Sequence, residues 1–158
     1  MTDHGWPEDW NDRMAGVNCV MCTALGRGDN DYWVHVFTGE AAEVHLERRS
    51  RLPGYCLVVW RHGHVAEPDD LDPGQAGRYW AEVLAVGRAV RAQFRPVKMN
   101  YLTLGNHVPH LHTHVLPRYA GDPAAGGPIP WPEIFSAEPV PGTELHEQAA
   151  SLRGLLGA

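Results

Sequence analysis

The chain has 158 residues, of which 44% are hydrophobic and 20% are charged, as is typical of a single globular domain. Thirteen lysines and arginines stand against nineteen aspartates and glutamates, giving a net charge of −6 that argues against binding duplex DNA or an anionic membrane surface. No apolar run is long enough for a transmembrane helix, and the first ten residues do not form a secretory signal, so we expect a cytoplasmic protein.

Three strand-like segments follow a polar N-terminal leader at residues 1–17, which we expect to be loosely packed. Each segment is rich in aromatic, β-branched or alternating apolar residues, which favour strands. The third segment follows a turn at Pro53 and Gly54. The predicted strands are Tyr32–Phe37, Glu43–Glu47 and Tyr55–Trp60.

A long helix is predicted to begin at Pro73, because Asp72 can cap it and Gln75 can complete a capping box. Apolar residues then recur at steps of three or four and indicate one buried stripe of about five turns. Pro96 should end the helix. The stripe consists of Tyr79, Val83, Val86, Val90 and Phe94.

Two more strands are predicted after the helix, at Met99–Leu104 and His110–Leu116. Residues 120–142 are rich in proline and glycine and should wrap irregularly over the surface. The tail from Thr143 to Leu156 predicts a short amphipathic helix. Because the strands are grouped on either side of one helix, we expect an α+β domain with an antiparallel sheet rather than a doubly wound parallel sheet.

Histidine is the unusual residue, since four of the ten histidines lie between positions 107 and 114. Side chains alternate along a strand, so His110, His112 and His114 should project from the same face. This row has three interpretations: a solvated structural strand, a metal site, or nucleophilic catalysis at phosphorus. Imidazole suits the last role because it is a good nucleophile near neutral pH.

The segment 110–116 fits the histidine triad pattern His-φ-His-φ-His-φ-φ, with Thr113 as its one unusual polar residue. Segment 53–59 is similar to a Pro-Gly-His-x-Leu-Val-φ strand, and residues 19–22 to a Cys-x-x-Cys start. Through these motifs the chain resembles the histidine triad (HIT) superfamily of nucleotide hydrolases and transferases. The resemblance covers residues 18–120, the expected HIT domain, and leaves residues 121–158 as a C-terminal extension packed on or near it.

The resemblance implies a five-stranded antiparallel sheet with one long helix, a homodimer, and a bound nucleotide that we expect to carry a purine. His112 would attack the α-phosphate of a phosphoanhydride or phosphoramidate and form a covalent nucleotidyl-histidine, which water then hydrolyses. His110 and His114 complete the expected catalytic set. Among HIT proteins, the chain looks most like bacterial members that are dinucleoside polyphosphate hydrolases.

The resemblance also suggests residues that bind the substrate. Gly105, Asn106 and His107 match positions near the phosphate and the leaving group, and Asn100 is a further candidate on the preceding strand. His107 is either an additional acid for the leaving group or a turn residue. Glu47 takes the place of an aspartate that holds the ribose hydroxyls.

In zinc-bearing members of the superfamily, four ligands match Cys19, Cys22, His64 and His110 of this chain, with His62 as an alternative to His64. Such a zinc ion would be structural and would take no part in the chemistry. The alternative is a pair of small buried thiols.

Two other functions remain open. The chain could be a nucleotide-binding module without useful turnover, or a nucleotidyl transferase that uses phosphate or a sugar phosphate as the acceptor. Trp131 could close over the site or simply pack against the sheet.

Overall fold

Five antiparallel strands form one sheet in the structure, a computed structural model that describes residues 5–157. The strand order is β1-β2-β3-β5-β4, and every neighbouring pair is antiparallel. The predicted α+β class and antiparallel sheet are therefore confirmed. The strands are β1 (Trp33–Thr38), β2 (Ala42–Glu47), β3 (Cys56–Trp60), β4 (Lys98–Thr103) and β5 (His112–Arg118).

Five α-helices accompany the sheet in the described residues. The longest connects β3 to β4, and two short helices precede β1. The helices are α1 (Trp10–Met14), α2 (Val20–Ala24), α3 (Pro73–Phe94), α4 (Trp131–Ile134) and α5 (Gly142–Leu156). None of the helices in residues 5–157 is both long and apolar enough to cross a membrane.

Helix α3 begins and ends as its sequence predicts. The carboxylate of Asp72 accepts hydrogen bonds from the backbone N–H groups of Gly74 and Gln75, and the Gln75 side chain accepts one from the Asp72 N–H. Arg95 ends the helix in the left-handed region, with φ of 51°, directly before Pro96. Four of the five predicted stripe residues are buried in the main core and Phe94 packs against its margin.

Strand β5 begins two residues later than expected, at His112 rather than His110. The backbone just before it has partners outside a regular ladder, because the His110 N–H donates to the Val108 carbonyl and the Leu111 N–H donates to Val65. His110 is therefore fully buried beyond the end of the strand. Its ring consequently has surroundings that differ from those of His112 and His114.

Thr113 faces α3, on the opposite side of β5 from the two strand histidines. Its hydroxyl lies 2.9 Å from the Tyr79 hydroxyl and 2.8 Å from the Thr103 hydroxyl. These contacts supply hydrogen bonds for a polar group at a position that is apolar in the motif, and burial without them would be costly.

The two helices that follow β5 pack in different apolar clusters. Helix α5 lies against β1 and α3, and its residues Leu145 and Leu152 join the main core. Helix α4 lies on the histidine side, where Ile134 is fully buried in a second apolar cluster. The described part of the leader contains the helix α1, none of whose residues is buried, and Arg13 of this helix donates to the His107 carbonyl.

Candidate active site

A cavity of about 470 Å³ opens over the histidine side of β5. Strand β5 contributes His112 and His114, and α2 contributes Met21. The loop between β4 and β5 supplies residues 104–108. Two aromatic residues of the C-terminal extension, Trp131 and Phe135, form another wall. The cavity therefore combines imidazole and amide side chains with apolar ones.

The ring of His112 is held in one tautomer by the backbone. Its Nδ1 lies 2.6 Å from the carbonyl oxygen of His110, and a carbonyl oxygen only accepts, so the hydrogen is on Nδ1. Burial lowers the pKa of His112 and favours the neutral ring. The lone pair is consequently on Nε2, the nitrogen that a nucleophilic imidazole uses here.

His114 has the opposite arrangement. Its Nδ1 lies 2.6 Å from the hydroxyl of Tyr55, a residue with only 1% of its surface exposed. Burial raises the pKa of the Tyr55 phenol, so the phenol keeps its hydrogen. Among the described residues, Nδ1 of His114 is the only hydrogen-bond partner of this buried hydroxyl, so we assign the phenol as the donor. Burial and then the neighbouring His112 lower the pKa of His114 to about 3. The neutral ring therefore carries its own hydrogen on Nε2.

The two rings lie next to each other, with centroids 4.8 Å apart and an interplanar angle of 72°. His112 and His114 thus offer one lone pair and one N–H group to the same cavity. A phosphoryl group needs this combination, because one group must approach phosphorus while another stabilises the oxygens.

Three of the predicted substrate-binding residues line the same cavity, namely Gly105, Asn106 and His107. Gly105 has φ of +107°, a conformation that favours glycine and allows the chain to turn between β4 and β5. The Asn106 and His107 side chains are exposed. The structure therefore brings polar side chains from this loop close to His112 and His114.

Glu47 and Asn100 are not among the residues that line this cavity. Glu47 ends β2, where its carboxylate accepts a hydrogen bond from the Arg49 N–H, and burial raises its pKa. The amide oxygen of Asn100 accepts from Arg118, which also forms an ion pair with Asp122 at 2.7 Å. Asn100 thus contacts the group that anchors the start of the extension.

Cys19, Cys22, His64 and His110 form a second cluster beside the cavity, with their ligand atoms all within 4.8 Å of one another. The Nε2 of His110 donates to the Trp60 carbonyl at 2.8 Å, and that of His64 donates to the Met14 carbonyl at 3.1 Å. Both rings therefore direct an Nδ1 lone pair at the thiols. His62 lies outside the cluster, with its ring hydrogen-bonded to the Glu40 carbonyl.

The cluster has dimensions that fit a tetrahedral metal ion. Zinc bonds of about 2.3 Å to sulfur and 2.0–2.1 Å to nitrogen place sulfur and nitrogen ligands roughly 3.6 Å apart. The Nδ1 of His110 lies 3.5 Å from the sulfur of Cys19 and 3.3 Å from that of Cys22. The Cys22 sulfur lies 3.7 Å from the Nδ1 of His64. The donor set of two thiols and two imidazoles could thus hold a metal ion.

His110 connects the Cys-His cluster to the cavity. Its ring faces the thiols, whereas its backbone carbonyl accepts the hydrogen bond that orients His112. In the structure it is therefore a positioning residue for His112 and a candidate metal ligand, while the cavity itself is lined by the other two histidines.

Several residues at or near the cavity received no functional prediction from the sequence, among them Tyr55, which is hydrogen-bonded to His114, and Phe135 and Met21, which line the cavity. Tyr55 had a signal, because it replaces the histidine of the Pro-Gly-His motif. Phe135 and Met21 had none, since their proximity to β5 depends on the packing of α4 and α2. Trp131, for which two roles were open, lies with its ring centroid 5.2 Å from that of His114.

Comparison with known proteins agrees with this geometry. The family model of the HIT domain matches residues 31–121, which include the whole sheet. Protein hit of Bacillus subtilis is 28% identical over 107 residues, covering 65% of this chain and 72% of that protein. The bis(5'-adenosyl)-triphosphatase of Saccharomyces cerevisiae is 30% identical over 73 residues, covering 43% of this chain but only 35% of the yeast protein.

The fold agrees as well. The crystal structure of a histidine triad protein from Bradyrhizobium japonicum is similar with a TM-score of 0.72 and 26% identity, over 80% of this chain and 92% of that chain. The domain match spans more than half of the sequence, includes the motif at residues 110–116 and coincides with the five-stranded sheet. The chain therefore belongs to the histidine triad (HIT) family.

Proposed function

We propose that this HIT protein hydrolyses nucleotides at the α-phosphate through a covalent intermediate on His112. The observation that carries the proposal is the pair of contacts at Nδ1, to the His110 carbonyl in His112 and to the Tyr55 hydroxyl in His114. From these contacts we assign a lone pair to Nε2 of His112 and a hydrogen to Nε2 of His114. The similarity to a yeast bis(5'-adenosyl)-triphosphatase supports an adenine dinucleoside polyphosphate as one substrate. A nucleoside phosphoramidate fits the same chemistry.

In the first step, Nε2 of His112 attacks the α-phosphorus and a P–N bond forms. The P–O or P–N bond to the leaving group breaks, and the leaving group takes the electron pair. Nε2–H of His114 donates to a non-bridging oxygen, which stabilises the charge that develops there. His107 is the side chain that we assign to protonate a basic leaving group.

In the second step, water attacks the same phosphorus and the bond to His112 breaks. The electron pair returns to Nε2, His107 accepts a proton from the water, and a nucleoside monophosphate leaves. The Nδ1–H bond to the His110 carbonyl persists through both steps and stabilises the ring when it becomes positively charged.

The test is a search for the nucleotidyl adduct. Wild-type protein is incubated with diadenosine triphosphate or adenosine phosphoramidate, quenched in base and measured by intact and peptide mass spectrometry. We expect an acid-labile adenylyl group on the peptide that contains His112. The His112→Ala variant should show no adduct and lose at least about 1,000-fold in turnover, since nucleophilic catalysis is lost. His62→Ala is the matched control, because His62 lies outside both the cavity and the Cys-His cluster.

Other outcomes would replace the proposal. Unchanged turnover in His112→Ala would rule out the covalent mechanism. Tight nucleotide binding with neither adduct nor product would indicate a binding module. Formation of a nucleoside diphosphate after inorganic phosphate is added would indicate a transferase that shares the first step.

We also propose that Cys19, Cys22, His64 and His110 hold a structural zinc ion that anchors the N-terminal segment. The separations between the sulfur and nitrogen atoms and the two carbonyl-bound Nε2 atoms support this assignment. Protein prepared without added metal should contain about one equivalent of zinc, and His64→Ala much less, with His62→Ala as the control. Less than a tenth of an equivalent in the wild type would contradict the proposal.

Finally, we infer that two copies of the chain pair along the free edge of β4. Support comes from Tyr101, an exposed aromatic residue of this edge strand whose hydroxyl lies against Gly87 of α3. The same helix also exposes two large apolar side chains, Trp80 and Leu84. Light scattering should give the mass of a dimer for the wild type and that of a monomer for Leu84→Glu. A monomeric wild type would contradict the inference.

A further inference from the structure

We propose that Trp131 and Phe135 form a stacking site for a planar ring of the substrate. This inference rests on the proposed function, because it concerns the same cavity. It extends that function by assigning a role in substrate selection to the C-terminal extension. The ring can belong to the base of the retained nucleotide or to an aromatic leaving group, and binding and turnover measurements distinguish these two sources.

The geometry of the two aromatic residues carries the proposal. They lie four residues apart at α4 and its C-terminal end, with ring planes only 11° from parallel and centroids 6.0 Å apart. Both line the cavity that contains His112 and His114. Trp131 contacts the ring of His114, and the Phe135 centroid lies 5.9 Å from that of Tyr55.

The pair is held in place by the backbone and by the residue between them. Ile134 is fully buried in the second apolar cluster, and its carbonyl accepts a hydrogen bond of 2.9 Å from the Arg51 N–H. The Arg51 side chain also donates to the Ser136 hydroxyl at 2.9 Å. The rings are therefore preorganised, and little conformational entropy is lost when a ligand binds to them.

Exposure distinguishes these rings from core residues. Phe135 is 42% exposed and Trp131 is half-buried, although both lie next to well-packed apolar side chains. A fixed aromatic surface that remains open towards a cavity is a suitable platform for another planar ring, because offset stacking adds to the burial of apolar area.

The position of the pair limits what can occupy it. The α-phosphorus must lie close to Nε2 of both His112 and His114 for the proposed reaction. Trp131, which contacts His114, then lies beside a substituent of the phosphate rather than beside a remote part of the substrate. Met21, Leu104 and Val108 complete the apolar lining. A planar heteroaromatic ring linked to the phosphate fits this combination of charge-stabilising and apolar walls.

The experiment compares Trp131→Leu and Phe135→Leu with the wild type, and uses Trp131→Phe to test rescue by another ring. Trp6→Leu is the control, because Trp6 is an exposed tryptophan of the leader outside this cavity. Thermal unfolding midpoints establish that each variant is folded. The probes are AMP and ribose 5-phosphate for calorimetric binding, and adenosine phosphoramidates with ammonia or tryptamine as the leaving group for turnover.

If the ring belongs to the retained nucleotide, Trp131→Leu weakens AMP binding about tenfold and leaves ribose 5-phosphate binding unchanged. If the ring belongs to the leaving group, AMP binding is unchanged and kcat/KM falls about tenfold for the tryptamine substrate only. In both cases Trp131→Phe should retain most of the wild-type AMP affinity or kcat/KM, because it keeps an aromatic ring at this position. Trp6→Leu should behave like the wild type.

Equal AMP affinity and an unchanged ratio of kcat/KM between the two phosphoramidates in a folded Trp131→Leu variant would overturn the stacking site. The hydrolase assignment would survive that result, because adduct formation on His112 is measured separately. A wild-type protein that neither binds AMP nor cleaves either phosphoramidate would overturn both proposals.

Discussion

The hydroxyl of Tyr55 donates to Nδ1 of His114 across 2.6 Å, and this contact determines which nitrogen of His114 bears a hydrogen at the cavity. Without a donor at Nδ1, the hydrogen could reside on either nitrogen. The phenol is almost completely buried, so water does not compete for the bond. In the proposed reaction Tyr55 is thus a positioning residue, because it would act on the substrate only through His114.

Replacing Tyr55 with phenylalanine should separate this role from packing. The ring is retained, so we expect a folded protein in which kcat falls about 10- to 100-fold while KM changes little, since a charge-stabilising donor is lost. Tyr55→His should restore part of kcat, because an imidazole N–H can donate to the same atom.

The decisive measurement for Tyr55 is the ¹⁵N NMR spectrum of the His114 ring. The wild type should show a hydrogen on Nε2, and Tyr55→Phe should show a mixture of tautomers. An unchanged tautomer in the phenylalanine variant would contradict the assigned role, whatever happens to the rate.

His107 should matter in proportion to the basicity of the leaving group. An amine must gain a proton when it leaves, whereas the nucleoside diphosphate released from diadenosine triphosphate leaves readily as an anion. We therefore expect His107→Asn to reduce kcat with adenosine phosphoramidate about 100-fold and with diadenosine triphosphate less than about tenfold. Equal losses with both substrates would assign His107 to the turn rather than to proton transfer.

The conformation of Gly16 should be necessary for the metal cluster. Gly16 has φ of +80°, and a Cβ atom there would lie 2.6 Å from Cγ of His64. Gly16→Ala should therefore displace the His64 ring and reduce bound zinc. Gly28→Ala is the matched control, because Gly28 has φ of +76° and no atom of the described residues lies within 4 Å of the place that its methyl group would occupy.

Metal analysis and thermal unfolding measure the outcome. Both alanine variants carry a similar backbone strain, so both should be somewhat destabilised. Only Gly16→Ala should also lose zinc. A Gly16→Ala protein with a full equivalent of zinc would show that His64 does not need its present position to bind the ion.

His45 should make the fold sensitive to acid. Burial, and then the neighbouring His35, lower the pKa of His45 to about 4, whereas the nearby Asp29 opposes the shift. Glu43 lies 3.6 Å away, and the neutral ring of Trp33 covers another side. The unfolded chain therefore binds more protons at this residue than the folded chain between about pH 6.5 and about 4.

Above about pH 6.5 both states hold His45 neutral, so its contribution to stability is then constant. As the pH falls through the window from about 6.5 to about 4, the free energy of unfolding should decrease by up to about 1.4 kcal/mol per pH unit from this residue. Urea unfolding at about pH 7, 5.5 and 4.5 measures the slope. His45→Phe should make the slope shallower without abolishing it, because the pKa values of His112 and His114 are also lowered. An identical slope in that variant would refute the assignment.

The sequence predicted those parts of the molecule that depend on local pattern. The capping box at Asp72, the buried stripe of α3 and the five strands all follow from the spacing of residue types, and the structure contains them. The motif at residues 110–116 also indicated the family correctly. Local pattern failed at the start of β5, because the His110 N–H donates to the Val108 carbonyl and the Leu111 N–H to the Val65 carbonyl instead of to a neighbouring strand.

Contacts between distant segments explain what the sequence left open. The helix α1 is only five residues long, and its position depends on contacts such as that between Arg13 and the His107 loop. Trp131 and Phe135 reach β5 because Ile134 is buried against residues from other parts of the chain. Neither relationship has a periodicity or a motif that could have revealed it.

Three chemically identical side chains within five residues have three different partners at Nδ1: thiols at His110, a carbonyl at His112 and a phenol at His114. The neighbour, rather than the histidine, therefore sets the chemical character of each ring. A carboxylate in place of the phenol, as in Tyr55→Glu, would accept a hydrogen bond from Nδ1 of His114 and leave the lone pair on Nε2. Two lone pairs would then point at an anionic phosphate, and a donor would have become a source of repulsion without any change to the histidine motif.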